Sequence, residues 1–125
     1  MTTTELEKLV NDYIDTWSTT NSKHRQELVE KMYSQTAEFY AEEPGVKAVN
    51  HKGTEAIFKN ISQVNDRLVI GNKLITELIG FSKNYDSLKV SWEMKAPNGE
   101  LALKGMNFLQ LDTLNKIDKD YIFIV

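Results

Sequence analysis

Four residues have side chains and settings suited to acid–base or hydrogen-bond chemistry. Asn107 sits in a strand-like segment, on a face otherwise made of Leu101, Leu103, Gly105, Leu109 and Leu111. A buried amide without partners costs about 1–3 kcal/mol. Asn107 therefore either bonds to nearby backbone or presents a donor to a bound molecule, and its NH2 can donate without any shift in protonation. Tyr13 lies within an apolar helical stripe, where a tyrosine packs its ring in the core and keeps its hydroxyl at the rim. His51 carries an imidazole and is a candidate acid or base, or else a solvated loop histidine. Glu43 precedes Pro44, and Glu42-Glu43-Pro44-Gly45 reads as an exposed acidic turn.

These residues need a scaffold, and the hydropathy pattern supplies one. In residues 4–17, Leu6, Leu9, Val10, Tyr13, Ile14 and Trp17 recur at helical spacing and form one apolar stripe. Thr4 and Glu7 have the form of a capping box. A second helix is predicted at about 23–33, with Leu28, Val29, Met32 and Tyr33 inward and His24 on the surface. A short strand is expected at 37–41, then a loop from Glu42 to Lys52. A third helix opens at Gly53 with Ile57, Phe58, Ile61 and Val64 facing inward.

From about residue 73 the period changes to two, giving strands at 74–82, 88–94, 100–111 and 117–125. Pro97-Asn98-Gly99 marks a tight hairpin turn. Hairpins make antiparallel neighbours, and three helices cover one face of such a sheet, so the fold class is α+β. The last strand is apolar on both sides, with Tyr121, Phe123 and Val125 opposite Ile122 and Ile124. An uncovered sheet face is normally polar. The pattern therefore predicts a homodimer through the outer sheet face; the alternative is a final strand that is simply central.

Composition excludes several classes. A chain of 125 residues, 41% hydrophobic and 26% charged, is one ordinary globular domain spanning 1–125. The absence of cysteine removes disulfides, thiol catalysis and Cys-ligated zinc. The two histidines are far apart, there is no His-x-x-x-His, and no metal site or cofactor is expected. The net charge of −3, with no basic cluster, argues against nucleic acid as a partner. No run is long enough to span a membrane, and Met1-Thr2-Thr3-Thr4-Glu5 does not read as a secretory leader, so a cytoplasmic chain is expected. Neither a glycine-rich phosphate loop nor a Gly-x-Ser-x-Gly elbow is present.

The chain resembles a known superfamily. The pattern is Tyr13 and Trp17 on the first helix, Tyr33-Ser34-Gln35-Thr36-Ala37-Glu38-Phe39, Gly53-x-Glu55-Ala56-Ile57, Trp92, and Gly105-Met106-Asn107-Phe108-Leu109-Gln110-Leu111-Asp112. In order and spacing it is similar to the nuclear transport factor 2-like superfamily, in its SnoaL-like branch. The resemblance implies a cone, in which a strongly curved mixed or antiparallel sheet wraps three N-terminal helices and leaves a pocket at the open end. It also puts Tyr13 at the oxyanion tyrosine of ketosteroid isomerase. Asn107 falls where that enzyme has a protonated aspartic acid, and Glu43 near its general base. Tyr13 and Asn107 would then form a two-donor hole for developing negative charge. Trp17, Phe39, His51, Phe58, Leu78, Trp92 and Met94 are the expected pocket residues, suited to a small hydrophobic or aromatic molecule.

Fold does not settle chemistry in this superfamily, which includes isomerases, dehydratases, epoxide hydrolases, polyketide cyclases, binding domains and transport dimers. Three readings follow. The first is a SnoaL-like pocket protein that moves a proton next to a carbonyl, as a cofactor-independent isomerase or cyclase. The second is a non-catalytic ligand-binding or scaffolding dimer. The third is a protein–protein module, for which no sequence feature speaks.

Overall fold

The computed structural model describes residues 1–41 and 49–125. The order is α1 (Thr3–Ser18), α2 (Ser22–Met32), β1 (Tyr33–Ala41), β2 (Val49–Lys52), α3 (Thr54–Asn65) and a π-helical turn (Asp66–Gly71). Four strands follow: β3 (Ile75–Asn84), β4 (Ser87–Lys95), β5 (Leu101–Leu111) and β6 (Ile117–Ile124). They form one six-stranded sheet in the order β2-β1-β6-β5-β4-β3. All neighbours are antiparallel except β1 and β6, which run parallel, so the sheet is mixed. This is the α+β class that the pattern predicts.

The inner face of the sheet meets the helices. Val10 and Tyr13 of α1, Leu28, Val29 and Met32 of α2, and Ile57 and Ile61 of α3 pack against Phe39, Leu88, Val90, Leu109 and Ile117. Arg25 ties the helices together from inside. Its guanidinium donates to the carbonyls of Thr16 (3.1 Å) and Thr19 and to Ser62 Oγ (3.2 Å). The carbonyls at a helix end lack partners within the helix, and Arg25 caps two of them while reaching α3.

Several boundaries differ from the sequence expectation. The N-cap of α1 is Thr2, whose side chain accepts from Glu5 N, not Thr4. Tyr33 begins β1 rather than ending the second helix; it is buried either way. The expected loop from Glu42 to Lys52 contains β2, a mostly exposed edge strand whose pairing with β1 comes from backbone rather than from apolar alternation. Leu101 shifts register at a bulge against Lys95 and is exposed rather than inward. The hairpin at Pro97-Asn98-Gly99 forms as expected. Gly99 takes a φ of 87°, which disfavours other residues, and its N–H donates to Ala96 O at 2.8 Å.

Candidate functional site

Three strands and α1 bring a polar cluster to the floor between helices and sheet. Phe39, Asp120 and Leu109 lie side by side in register across β1, β6 and β5, with Asp120 in the middle. Period two puts Asp120 on the inner face with Ile122 and Ile124. It is fully buried. Its Oδ2 accepts from Tyr33 Oη at 2.7 Å and from Tyr13 Oη at 2.9 Å. Its Oδ1 accepts from Asn107 Nδ2 at 2.8 Å, and Asn107 Oδ1 accepts from Trp92 Nε1, also at 2.8 Å. Among the described residues no lysine, arginine or histidine bonds to this carboxylate.

Burial governs the electrostatics. It lifts the Asp120 carboxyl to about 6, against the opposing pull of donors from Asn107, Tyr33 and Tyr13. Burial, and then the charge of Asp120, push the Tyr13 and Tyr33 phenols well above the usual tyrosine value. The cluster is thus a carboxylate that ionises near neutrality, held by two phenols that stay protonated.

Beside the cluster lies a cavity of about 270 Å³. Its wall includes Tyr13, Trp17, Phe39, Trp92, Met94 and Asn107, with Leu103, Ile122 and Ile124 from the last two strands. His51, Asn60, Asn65, Arg67 and Thr76 add polar groups. Trp17 and His51 flank Phe39, with ring centroids 5.7 and 6.1 Å away. Both tryptophans of the chain, Trp17 and Trp92, line this one cavity. Three buried side-chain polar atoms lack a partner among the described residues: Trp17 Nε1, Asn65 Oδ1 and Thr76 Oγ1. All three belong to residues of the cavity wall.

Of the expected site residues, Tyr13, Trp17, Phe39, His51, Trp92, Met94 and Asn107 come together around the cavity. Phe58 and Leu78 do not line it; they pack, partly buried, against the core. Glu43 lies outside the described residues. Tyr13 and Asn107 do converge, but not as a vacant two-donor hole, because each donates to Asp120. Asp120 and Tyr33 were not legible as site residues. The signal that could have exposed Asp120 was its even spacing with Ile122 and Ile124 in Asp120-Tyr121-Ile122-Phe123-Ile124.

On the outer face, Tyr40 of β1 stacks on Tyr121 of β6 at 4.9 Å between ring centroids, and Phe108 lies 6.3 Å from Tyr121. Phe108, Phe123, Ile79 and Val125 are exposed. Among the described residues no helix is long and apolar enough to cross a membrane.

No protein-family model and no curated protein matches the chain. Solved structures do. A SnoaL-like family protein from Agrobacterium tumefaciens has a TM-score of 0.80 at 19% identity, covering 98% of this chain and 98% of that one. A SnoaL-like protein from Burkholderia thailandensis has a TM-score of 0.74 at 13% identity, covering 100% of this chain and 98% of that one. A protein with a ketosteroid isomerase-like fold from Catenulispora acidiphila, solved in complex with trimethylamine, has a TM-score of 0.69 at 12% identity, covering 92% of this chain and 83% of that one. The fold is therefore that of the SnoaL-like, nuclear transport factor 2-like proteins.

Proposed function

We propose that this chain is a small-molecule-binding protein of the SnoaL-like type, holding one compact, largely apolar molecule in the cavity above Asp120. One observation carries the reading. The three buried side-chain atoms that lack partners among the described residues all belong to the wall of one cavity. Native interiors leave few buried polar groups unsatisfied, so a cluster of them around a space favours an occupant. The trimethylamine complex of a protein of the same fold supports a compact ligand.

The test uses the protein's own chromophores. Because Trp17 and Trp92 both line the cavity, their emission reports occupancy. Titration with cyclohexenone, acetophenone and indole should change it, and should raise thermal stability by about 2.7 kcal/mol at a hundred times the Kd. Unchanged emission and melting temperature across all three compounds would count against the reading.

A second reading, cofactor-independent proton transfer next to a carbonyl, is favoured by Asp120. A carboxyl that ionises near 6 and touches the cavity-wall residue Tyr13 is poised for acid–base work near neutral pH. Under this reading a β,γ-unsaturated ketone is isomerised, and Tyr13→Phe and Asn107→Leu each slow it at least tenfold. Binding without exchange of α-protons in D2O leaves the binding reading alone.

The outer-face residues Phe108, Tyr121 and Phe123 support a homodimer through the sheet, since such patches usually meet a partner. Phe108→Lys should then halve the mass measured by light scattering. A monomeric native protein removes the dimer.

A further inference from the structure

The chain carries 18 acidic residues against 15 lysines and arginines. Among the described residues, only one of all these belongs to the cavity wall, and it is Arg67. Its side chain is exposed, so the guanidinium stands in water at the cavity mouth. It forms no salt bridge among the described residues, although lysines elsewhere on the surface do. The wall therefore presents a single cation and no carboxylate, in a protein whose net charge is negative.

The backbone aims this cation deliberately. Asn60, Val64 and Arg67 follow one another at the i, i+4, i+7 spacing of one helical face, and all three belong to the wall. Beyond Asn65 the helix opens into the π turn Asp66–Gly71. Consecutive residues of an α-helix point about 100° apart, so three in a row rarely share one wall. In the wider turn, Arg67, Leu68 and Val69 all reach the cavity. Turns of this kind are rare and recur at functional sites. Leu68 O accepts from Leu74 N at 3.0 Å, which returns the chain beside the turn as it enters β3. Thr76, two residues on, is again a wall residue, and its buried Oγ1 has no partner among the described residues. An unpartnered hydroxyl, which rotates to suit an acceptor, thus lies on the side of the cavity that carries the cation.

The opposite sign lies at the floor. Asp120 stands behind Tyr13 and Asn107 and is not itself part of the wall. An anionic group is repelled from that end and drawn to the mouth, while an apolar body suits the aromatic interior. We infer that the ligand is a compact monocarboxylate, its aryl or branched alkyl body against Trp17, Phe39 and Trp92, and its carboxylate held at the mouth by Arg67. This rests on the small-molecule reading above and names the ligand class. A guanidinium offers two parallel N–H bonds that match the two oxygens of a carboxylate. A phosphate dianion would bring a second charge with no second cation on the wall to meet it.

The experiment is titration of the intact chain with phenylacetate, followed by tryptophan emission and by calorimetry. Phenylacetamide, of the same shape but uncharged, and phenethylammonium, of opposite charge, are the controls. Phenylacetate should bind about five- to tenfold more tightly than phenylacetamide, and the two should displace one another. That preference should shrink at least twofold as salt rises from about 0.05 to about 0.5 M. Arg67→Gln should bring phenylacetate down to the affinity of phenylacetamide. Arg67→Lys, which keeps the charge but not the fork, should fall between. Both variants alter an exposed side chain and should fold as the native protein does. Equal binding of acid and amide, tighter binding of phenethylammonium, or a preference that survives Arg67→Gln overturns the inference and leaves the cavity reading standing. Binding of none of the three overturns both.

Discussion

Asp120 makes the stability of the fold depend on pH in a direction opposite to that of a salt-bridged carboxylate. Its carboxyl is held at about 6 in the folded protein, against 3.8 in an unfolded chain. Between those values the native state binds more protons than the unfolded state, so stability falls as pH rises through the window. The full difference corresponds to about 3 kcal/mol, reached once Asp120 is ionised in both states. Between pH 4.5 and 7.5 about 2 kcal/mol of it is lost. Other groups also titrate in that range, and the comparison with Asp120→Asn isolates this residue. An uncharged amide makes no such contribution, so the stability of the variant relative to the native protein should rise by about 2 kcal/mol over the span. Urea denaturation followed by circular dichroism at half-unit pH steps measures this, since 2 kcal/mol moves a midpoint by roughly 1 M. Parallel profiles for the two proteins would refute the argument, because Asp120 would then ionise at no cost to the fold.

Further expectations concern its neighbours. Tyr33→Phe removes a donor that favours ionised Asp120, so the carboxyl should titrate above 6, read from its carbon resonance; a downward move contradicts the assignment. Gly105→Ala would place a Cβ 2.4 Å from Trp92 Cζ2 and 2.7 Å from Phe123 O. Overpacking of this kind costs about 1–3 kcal/mol, and it should shift the Trp92 emission as well as the urea midpoint. Arg25→Met strips the Thr16 and Thr19 carbonyls of their donor and should cost about 3 kcal/mol; a loss below 1 kcal/mol would mean that water replaces the guanidinium.

The helices, the β4–β5 hairpin and the α+β class could be read because each depends on local periodicity. The apolar spacing of Leu6 to Trp17 and the alternation of Leu88, Val90, Trp92 and Met94 are one-dimensional signals. What escaped depends on distant partners. β2 is held by pairing with β1 and shows almost no buried side chains. The parallel register of β1 with β6 joins segments about 80 residues apart. Asp120 sits between Lys119 and Tyr121, where a charged residue looks like part of a solvated edge; only the three donors that converge on it reveal its place. The same convergence explains why Tyr13 and Asn107 could be picked out while their use could not. Their types suit a vacant donor pair, and the carboxylate that occupies them lies in another strand.

The placement of β6 between β1 and β5 also bears on how the chain folds. β3, β4, β5 and β6 can zip together by successive hairpins, but β1 must wait until a strand some 80 residues later presents its free edge. Closure of so long a loop costs chain entropy before any contact repays it, which places the slow step at the pairing of β1 with β6. Asp120 enters the interior in that same step. The rate of folding, and not only its equilibrium, should therefore quicken as the pH falls from 6 toward 4, because Asp120 can then take up a proton as it enters the interior.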